Sequence, residues 1–140
     1  MARWLGKFEE AHIDEKAEEF LVSAGYPSEV AKQIGPTIST IAFAQDGEEF
    51  VQTIATPSVG RSNELRFKLD QKAEIAGKNG AIVSSLFQWH EDTRTLHSLF
   101  QIGSGPQFTI DFAFAEDYNS AIKFRRTATV QAEQLIKRIA

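Results

Sequence analysis

The sequence predicts a mainly β domain, an antiparallel up-and-down β-barrel of about ten strands with a two-helix lid. Three observations predict it. From Thr37 onward apolar and polar residues alternate with period two, and turn-forming residues interrupt the alternation at intervals of roughly eight to twelve positions. Two short helical patterns stand between one early strand and that long run. No repeat, linker or low-complexity tract divides the chain, so residues 1–140 read as a single domain.

Segment 3–9 alternates Trp4, Gly6 and Phe8 with charged or polar positions and reads as a strand. Asp14 precedes EKAEEFLVSAG, which is rich in helix formers and stopped by Gly25, while Ser28 precedes EVAKQI, stopped by Gly35 and Pro36. An Asp or Ser start with a Gly stop places helices at 14–24 and 28–34. The pair has the outline of a DNA-reading helix-turn-helix, but Glu15, Glu18, Glu19 and Glu29 would repel phosphate. Strands are expected at 37–44, 48–56, 63–69, 71–76, 81–89, 93–101, 107–115 and 120–128. The turns between them are Asp46-Gly47, 60–63, Asp70, Lys78-Asn79-Gly80, Glu91-Asp92, 103–106 and 116–119. The final stretch, TVQAEQLIKRIA, has the composition of a helix. An antiparallel sheet closes on itself without a parallel seam only with an even number of strands, so 130–139 is expected to be a further strand.

Composition narrows the function classes. With 42% apolar and 24% charged residues the chain is an ordinary globular one, and no apolar run approaches the roughly 20 residues of a membrane span. The N-terminal residues form neither an apolar signal core nor an Arg-rich transit pattern, which implies a cytoplasmic location. The absence of cysteine removes disulfides and thiolate metal sites, and a net charge of −4 argues against nucleic acid as a partner. Eleven Phe against two Trp and two Tyr is a heavy apolar aromatic load, suited to a greasy cavity or to a plain core.

One strand, two short helices and a long antiparallel meander resemble the layout of the intracellular lipid-binding proteins, the fatty-acid-binding family. Trp4-Leu5-Gly6-Lys7-Phe8 is similar to that family's opening motif, and the stretch from Phe20 to Tyr26 to its first helix and stop. Pro36-Thr37 followed by Asp46-Gly47 resembles its second-strand signature, and Asn63-Glu64-Leu65-Arg66-Phe67-Lys68-Leu69 its fourth strand. The resemblance implies a calycin-type barrel that binds and transports a long-chain fatty acid or another small hydrophobic ligand. It also implies a monomer with no cofactor, no metal and no catalysis, making transient contact with a membrane surface. In the family, buried arginines and a tyrosine hold the ligand carboxylate, two of them in an Arg-x-Tyr on the last strand. This chain has no Arg-x-Tyr. Matched by motif, Ser120-Ala121-Ile122-Lys123-Phe124-Arg125 approaches that arginine and assigns the role to Arg125; matched by strand count, the last strand offers Arg138. The upstream arginine of the family falls on Ser98 in the first frame and near Asp111 in the second.

Alternation is a separate guide to the inner face. Arg125 and Arg126 point to opposite sides of a strand, and Ile122 and Phe124 share a face with Arg126. The apolar pair therefore favours Arg126 as the inward residue, whereas the motif favours Arg125. An inward Arg suggests an acidic ligand headgroup; the plainer alternative is an Arg satisfied by a carboxylate of the barrel itself. Phe108, Ile110, Phe112 and Phe114 form an alternating apolar face that would line the cavity, with Phe20 on the lid. Arg61 aligns with a basic residue near the family's entry portal, where Gly60 replaces an aromatic. His12, His90 and His97 fall on separate elements with no metal-ligand spacing; Ser98 and His97 face opposite ways; and Gly103-Ser104-Gly105 lacks the following helix of a phosphate cradle. Two other functions fit a barrel of this kind: an oxygenase acting on an imidazopyrazinone luciferin, or a structural or regulatory barrel without a ligand.

Overall fold

The structure is a computed structural model and describes residues 2–76 and 80–140. Its strands are β1 (Gly6–Glu10), β2 (Thr40–Asp46), β3 (Glu49–Thr56), β4 (Arg61–Phe67), β5 (Ala73–Ala76), β6 (Ile82–His90), β7 (Thr95–Ile102), β8 (Gln107–Phe114), β9 (Ser120–Arg126) and β10 (Gln131–Arg138). Helices α1 (Ala17–Ala24) and α2 (Ser28–Ile34) lie between β1 and β2. All ten strands form one antiparallel sheet in the order β4-β3-β2-β1-β10-β9-β8-β7-β6-β5. The expected barrel is present, and 131–138 is its tenth strand, paired with β1 on one side and β9 on the other. Strand pairing prevails there over helical composition, because both neighbouring edges would otherwise be unpaired.

The barrel is nearly closed rather than fully closed. β4 and β5 end the strand order and share no ladder. Low in this seam the chain is stitched directly to β6: Leu69 bridges Phe87, the Asp70 N–H donates to the Phe87 carbonyl at 2.8 Å, and the Phe67 and Phe87 rings stack at 3.7 Å.

Several element ends differ from the sequence expectation for local reasons. α1 begins at Ala17 rather than at 14, because the Asp14 carboxylate accepts the Lys16 N–H at 2.9 Å and holds a turn ahead of the helix. Its buried residues, Ala17, Phe20, Leu21 and Ala24, follow helical spacing, while Glu15, Glu18 and Glu19 are exposed. Gly25 ends it at φ 105, the left-handed conformation glycine adopts readily. β9 stops at Arg126 because residues 127–130 turn, the Thr127 N–H donating to the Val130 carbonyl at 2.8 Å. Within the expected turn Lys78-Asn79-Gly80, Lys78 and Asn79 lie outside the described residues.

Antiparallel alternation places the helix pair and the β3–β4, β7–β8 and β9–β10 connections at one end. The chain termini and the β2–β3, β6–β7 and β8–β9 connections lie at the other. Aromatic side chains seal the terminal end. Trp4 meets Phe43, Phe50 and Trp89 with ring centroids 4.8–5.8 Å apart, and Phe114 stacks on Tyr118 at 5.8 Å. Arg138 fastens this end, donating to the main-chain carbonyls of Leu5, Tyr118 and Arg3 at 2.8, 3.0 and 3.1 Å, with its guanidinium over the Phe8 ring. Gly6 has φ 137, a conformation that L side chains rarely adopt, and a Cβ there would also lie 2.0 Å from Arg138 Nη1 and 3.0 Å from the Ala140 carbonyl oxygen, so glycine is favoured where the guanidinium crosses β1. Among the described residues no helix is long and apolar enough to cross a membrane.

Deletion of residues 130–140 removes the strand that joins β1 to β9. The expected outcome is loss of the far-ultraviolet β signal and of cooperative thermal unfolding; a truncated chain that still melts cooperatively would show that the barrel closes without β10.

Candidate functional site

Two cations on β9 point into the barrel. Ala121, Lys123 and Arg125 are buried, whereas Arg126 is exposed and lies over the Phe124 ring on the outer surface. This corrects the face assignment made from alternation: Arg125 is the inward arginine and Arg126 is not. The outward Ile122 and Phe124 are half-buried; Ile122 lies between its register partners Leu135 and Ala113, and Phe124 between Glu133 and Asp111, so an apolar pair here marks a partly covered exterior. The inner face of β9 is charged because acids from another segment reach it.

Those acids are Glu10, at the end of β1, and Asp14, at the entry to α1. Lys123 Nζ donates to Glu10 Oε2 at 2.5 Å, and Arg125 Nη2 donates to Asp14 Oδ2. All four residues are no more than 9% exposed. Each carboxylate also accepts a main-chain N–H, Glu10 from Ser39 at 2.7 Å and Asp14 from Lys16 at 2.9 Å. The hydroxyls of Ser39 and Thr56 hydrogen-bond at 2.8 Å beside them. The arrangement is a buried, formally neutral quartet.

The lid packs on this quartet. The Arg125 guanidinium lies 5.1 Å from the Phe20 ring centroid; Phe20 meets Phe108 edge-on at 5.8 Å, and Phe108 stacks on Phe100 at 5.5 Å. Ser23 of α1 hydrogen-bonds the hydroxyls of Thr127 and Thr129, at 2.5 and 3.0 Å, tying the lid to the β9–β10 turn. Tyr26, between the helices, packs against Phe108. Burial pushes its hydroxyl pKa up, and the positive charges of Arg125 and Arg61 oppose that rise. Phe20, Phe108 and Arg125 thus meet at the lid end, with the Arg61 charge acting on the nearby Tyr26. Phe112 lies further in, against Phe43. Lys123, Glu10, Tyr26 and Gln134 were not singled out from the sequence. The legible signal was the period-two set Ala121, Lys123, Arg125, together with Glu10 two places after the inward Phe8.

The last-strand frame is corrected as well. The buried positions of β10 are Ala132, Gln134 and Ile136, and Arg138 serves the sealed end. Gln134 Nε2 donates to the His12 carbonyl at 2.7 Å. Ser98 is buried and donates to the Ile110 carbonyl, while Ile110 and Phe112 take the inner positions flanking the outward Asp111. His97 lies outside, 2.6 Å from Asp111 and with its ring 5.9 Å from that of His90, so these two histidines are neighbours despite lying on separate strands. No cluster of three or more His, Cys, Asp or Glu suited to a metal occurs among the described residues.

No protein-family model matches the sequence. The fold is that of the lipid-binding barrels. Caenorhabditis elegans lipid binding protein 8 superposes with a TM-score of 0.84 at 15% identity, covering 99% of this chain and 97% of that one. A Schistosoma mansoni fatty acid binding protein in complex with arachidonic acid gives 0.82 at 14% identity, covering 100% and 98%. A secretary abundant heat soluble (SAHS) protein from Ramazzottius varieornatus gives 0.85 at 18% identity, covering 99% and 97%.

Removing Arg125 strands the Asp14 carboxylate in the interior. Arg125→Leu is expected to cost roughly 3–5 kcal/mol in chemical denaturation, and Arg125→Leu with Asp14→Asn to recover most of it, since Asn keeps the acceptor for Lys16. Additive losses in the double variant would dissolve the pair.

Burial and the neighbouring Arg125 charge hold the Lys123 pKa down to about 8, against the attraction of Glu10. An unfolded lysine titrates near ~10.4, so between these values the unfolded chain binds the extra proton and stability rises with pH. Below this window both states are protonated and the contribution is constant. Urea midpoints should therefore show a gain on the order of 2 kcal/mol from pH 8 to 10 that is missing in Lys123→Met. Parallel profiles for the two proteins would refute the assignment.

Proposed function

We propose that the protein is a non-catalytic carrier that binds a small hydrophobic ligand, a long-chain fatty acid or a derivative of one, inside the barrel. The observation that supports this reading is the uneven filling of the inner wall. Phe8, Phe43, Phe67, Phe87 and Phe112 are almost wholly buried, yet Ile54, Leu65, Val83 and Ile110, which share inner faces with buried neighbours, stay half-buried. Three of these four lie on β3, β4 and β6, around the β4–β5 seam. An apolar wall that its own side chains leave partly uncovered suits an apolar tail, whose burial is worth about 25 cal/mol per Å² before ordering costs. The bound arachidonic acid of the Schistosoma mansoni barrel supports the same ligand class. Entry past the lid fits too, since the opposite end is sealed by stacked rings and Arg138. The carrier acts as a monomer in the cytoplasm, with transient contact at a membrane surface during exchange.

Nile red binding and native mass spectrometry of the purified protein test the proposal. Ile110→Trp should fill the inner wall and reduce probe affinity at least about tenfold while leaving the melting temperature within a few degrees. Unchanged binding in that variant, or absence of any bound lipid or probe in the wild type, would point to a barrel without a ligand. Light emission from an imidazopyrazinone would point to an enzyme.

A further inference from the structure

The four interior charges cancel, and this bears on the polar end of the ligand. A carboxylate entering beside Arg125 or Lys123 either adds an unbalanced negative charge or displaces Asp14 or Glu10. Neither acid is free to leave, because each also holds a main-chain N–H, of Lys16 and Ser39 respectively. Burying an unpaired charge is strongly unfavourable.

Two polar atoms in the same wall have no protein partner among the described residues. They are Arg125 Nε, a donor, and Gln134 Oε1, an acceptor, on residues 9% and 2% exposed. β9 and β10 pair with Arg125 opposite Ala132 and Lys123 opposite Gln134, so the two side chains are diagonal neighbours on the inner face. A hydroxyl can accept from the first atom and donate to the second. A carboxylate can only accept, and it sets like partial charges against Gln134 Oε1.

We propose that the ligand's polar end is uncharged. It is a hydroxyl-bearing neutral lipid, of the long-chain alcohol or glycerol monoester class, seated between Arg125 Nε and Gln134 Oε1, and a free fatty acid enters only in its protonated form. The proposal rests on the carrier reading and specifies its headgroup chemistry. The charged and titratable groups around the seat are Glu10 on β1, His12 and Asp14 between β1 and α1, with the His12 ring exposed outside beside the Leu135 N–H, Tyr26 between the helices, Arg61 at the start of β4, and Lys123 and Arg125 on β9. Arg61 is only partly buried at the rim, where water and salt screen its charge.

The test is displacement of Nile red from the full chain by 1-dodecanol, monolaurin and laurate between about pH 6 and pH 8. Dodecanol and monolaurin should bind with pH-independent affinity, while laurate should weaken by about tenfold per pH unit. At the upper pH, Asp14→Asn leaves the Arg125 charge unbalanced and should strengthen laurate about tenfold or more relative to dodecanol. The wild-type pH profile decides without the variant. Laurate binding as tightly as dodecanol at pH 8, with a flat profile, would overturn the proposal. So would Nile red bound but displaced by none of the three, a result that spares the carrier reading. Failure of Nile red itself to bind would remove the carrier reading, and this proposal with it.

Discussion

Lys123 and Arg125 occupy the inner face of β9, and a barrel interior tolerates two positive charges only where negative charge is supplied beside them. The supply comes from one short run of chain, Glu10 to Asp14, the stretch in which β1 ends and the lid begins. The same two ion pairs that neutralise β9 therefore fix where the chain leaves the wall. With Asp14 held, α1 starts at Ala17, Phe20 comes to rest against Phe108 and the Arg125 guanidinium, and Ser23 reaches the hydroxyls of Thr127 and Thr129. The lid is positioned by electrostatics at its root and by ring packing along its length.

The two ends of the barrel differ in kind. At the terminal end the contacts are ring on ring, and the Arg138 guanidinium there is spent on main-chain carbonyls. Few of those side chains could move without opening a void, and voids in packed aromatic clusters are costly. At the lid end the interior is polar and ion-paired, its covering helices are short, and the inner wall toward β4 and β6 is incompletely covered. Opening of the barrel breaks the fewest packed contacts at the lid end.

Most of this architecture was legible because it follows from local rules. Asp46-Gly47 and Gly103 mark turns, with both glycines at positive φ, and the Gly25 stop and the Phe20-Leu21 face of α1 follow from helix geometry. The tenth strand was recoverable only from closure, since the composition of 130–139 argues for helix. Which side of β9 faces inward was not recoverable from β9 alone. Ile122 and Phe124 are more apolar than Lys123 and Arg125, and a rule based on transfer free energy selects the wrong face. What reverses it is the pairing with Glu10 and Asp14, more than a hundred residues away in the chain. Long-range charge compensation leaves no periodic trace. The same blindness hid Gln134, which only the register of β10 against β9 places in the interior.

The unpaired seam leaves two strand edges whose main-chain groups could recruit a strand from another molecule. Both edges are poor templates. β5 is only four residues long and carries Glu74, and β4 presents Arg61, Glu64 and Arg66 along its length, with Arg66 held by Asp46 on the neighbouring hairpin. Below them, the bridge from Leu69 to Phe87 and the stacked Phe67 and Phe87 rings anchor the sheet across the gap. The circumference of the barrel can therefore widen at the seam without inviting intermolecular β-pairing, and so without becoming a starting point for aggregation.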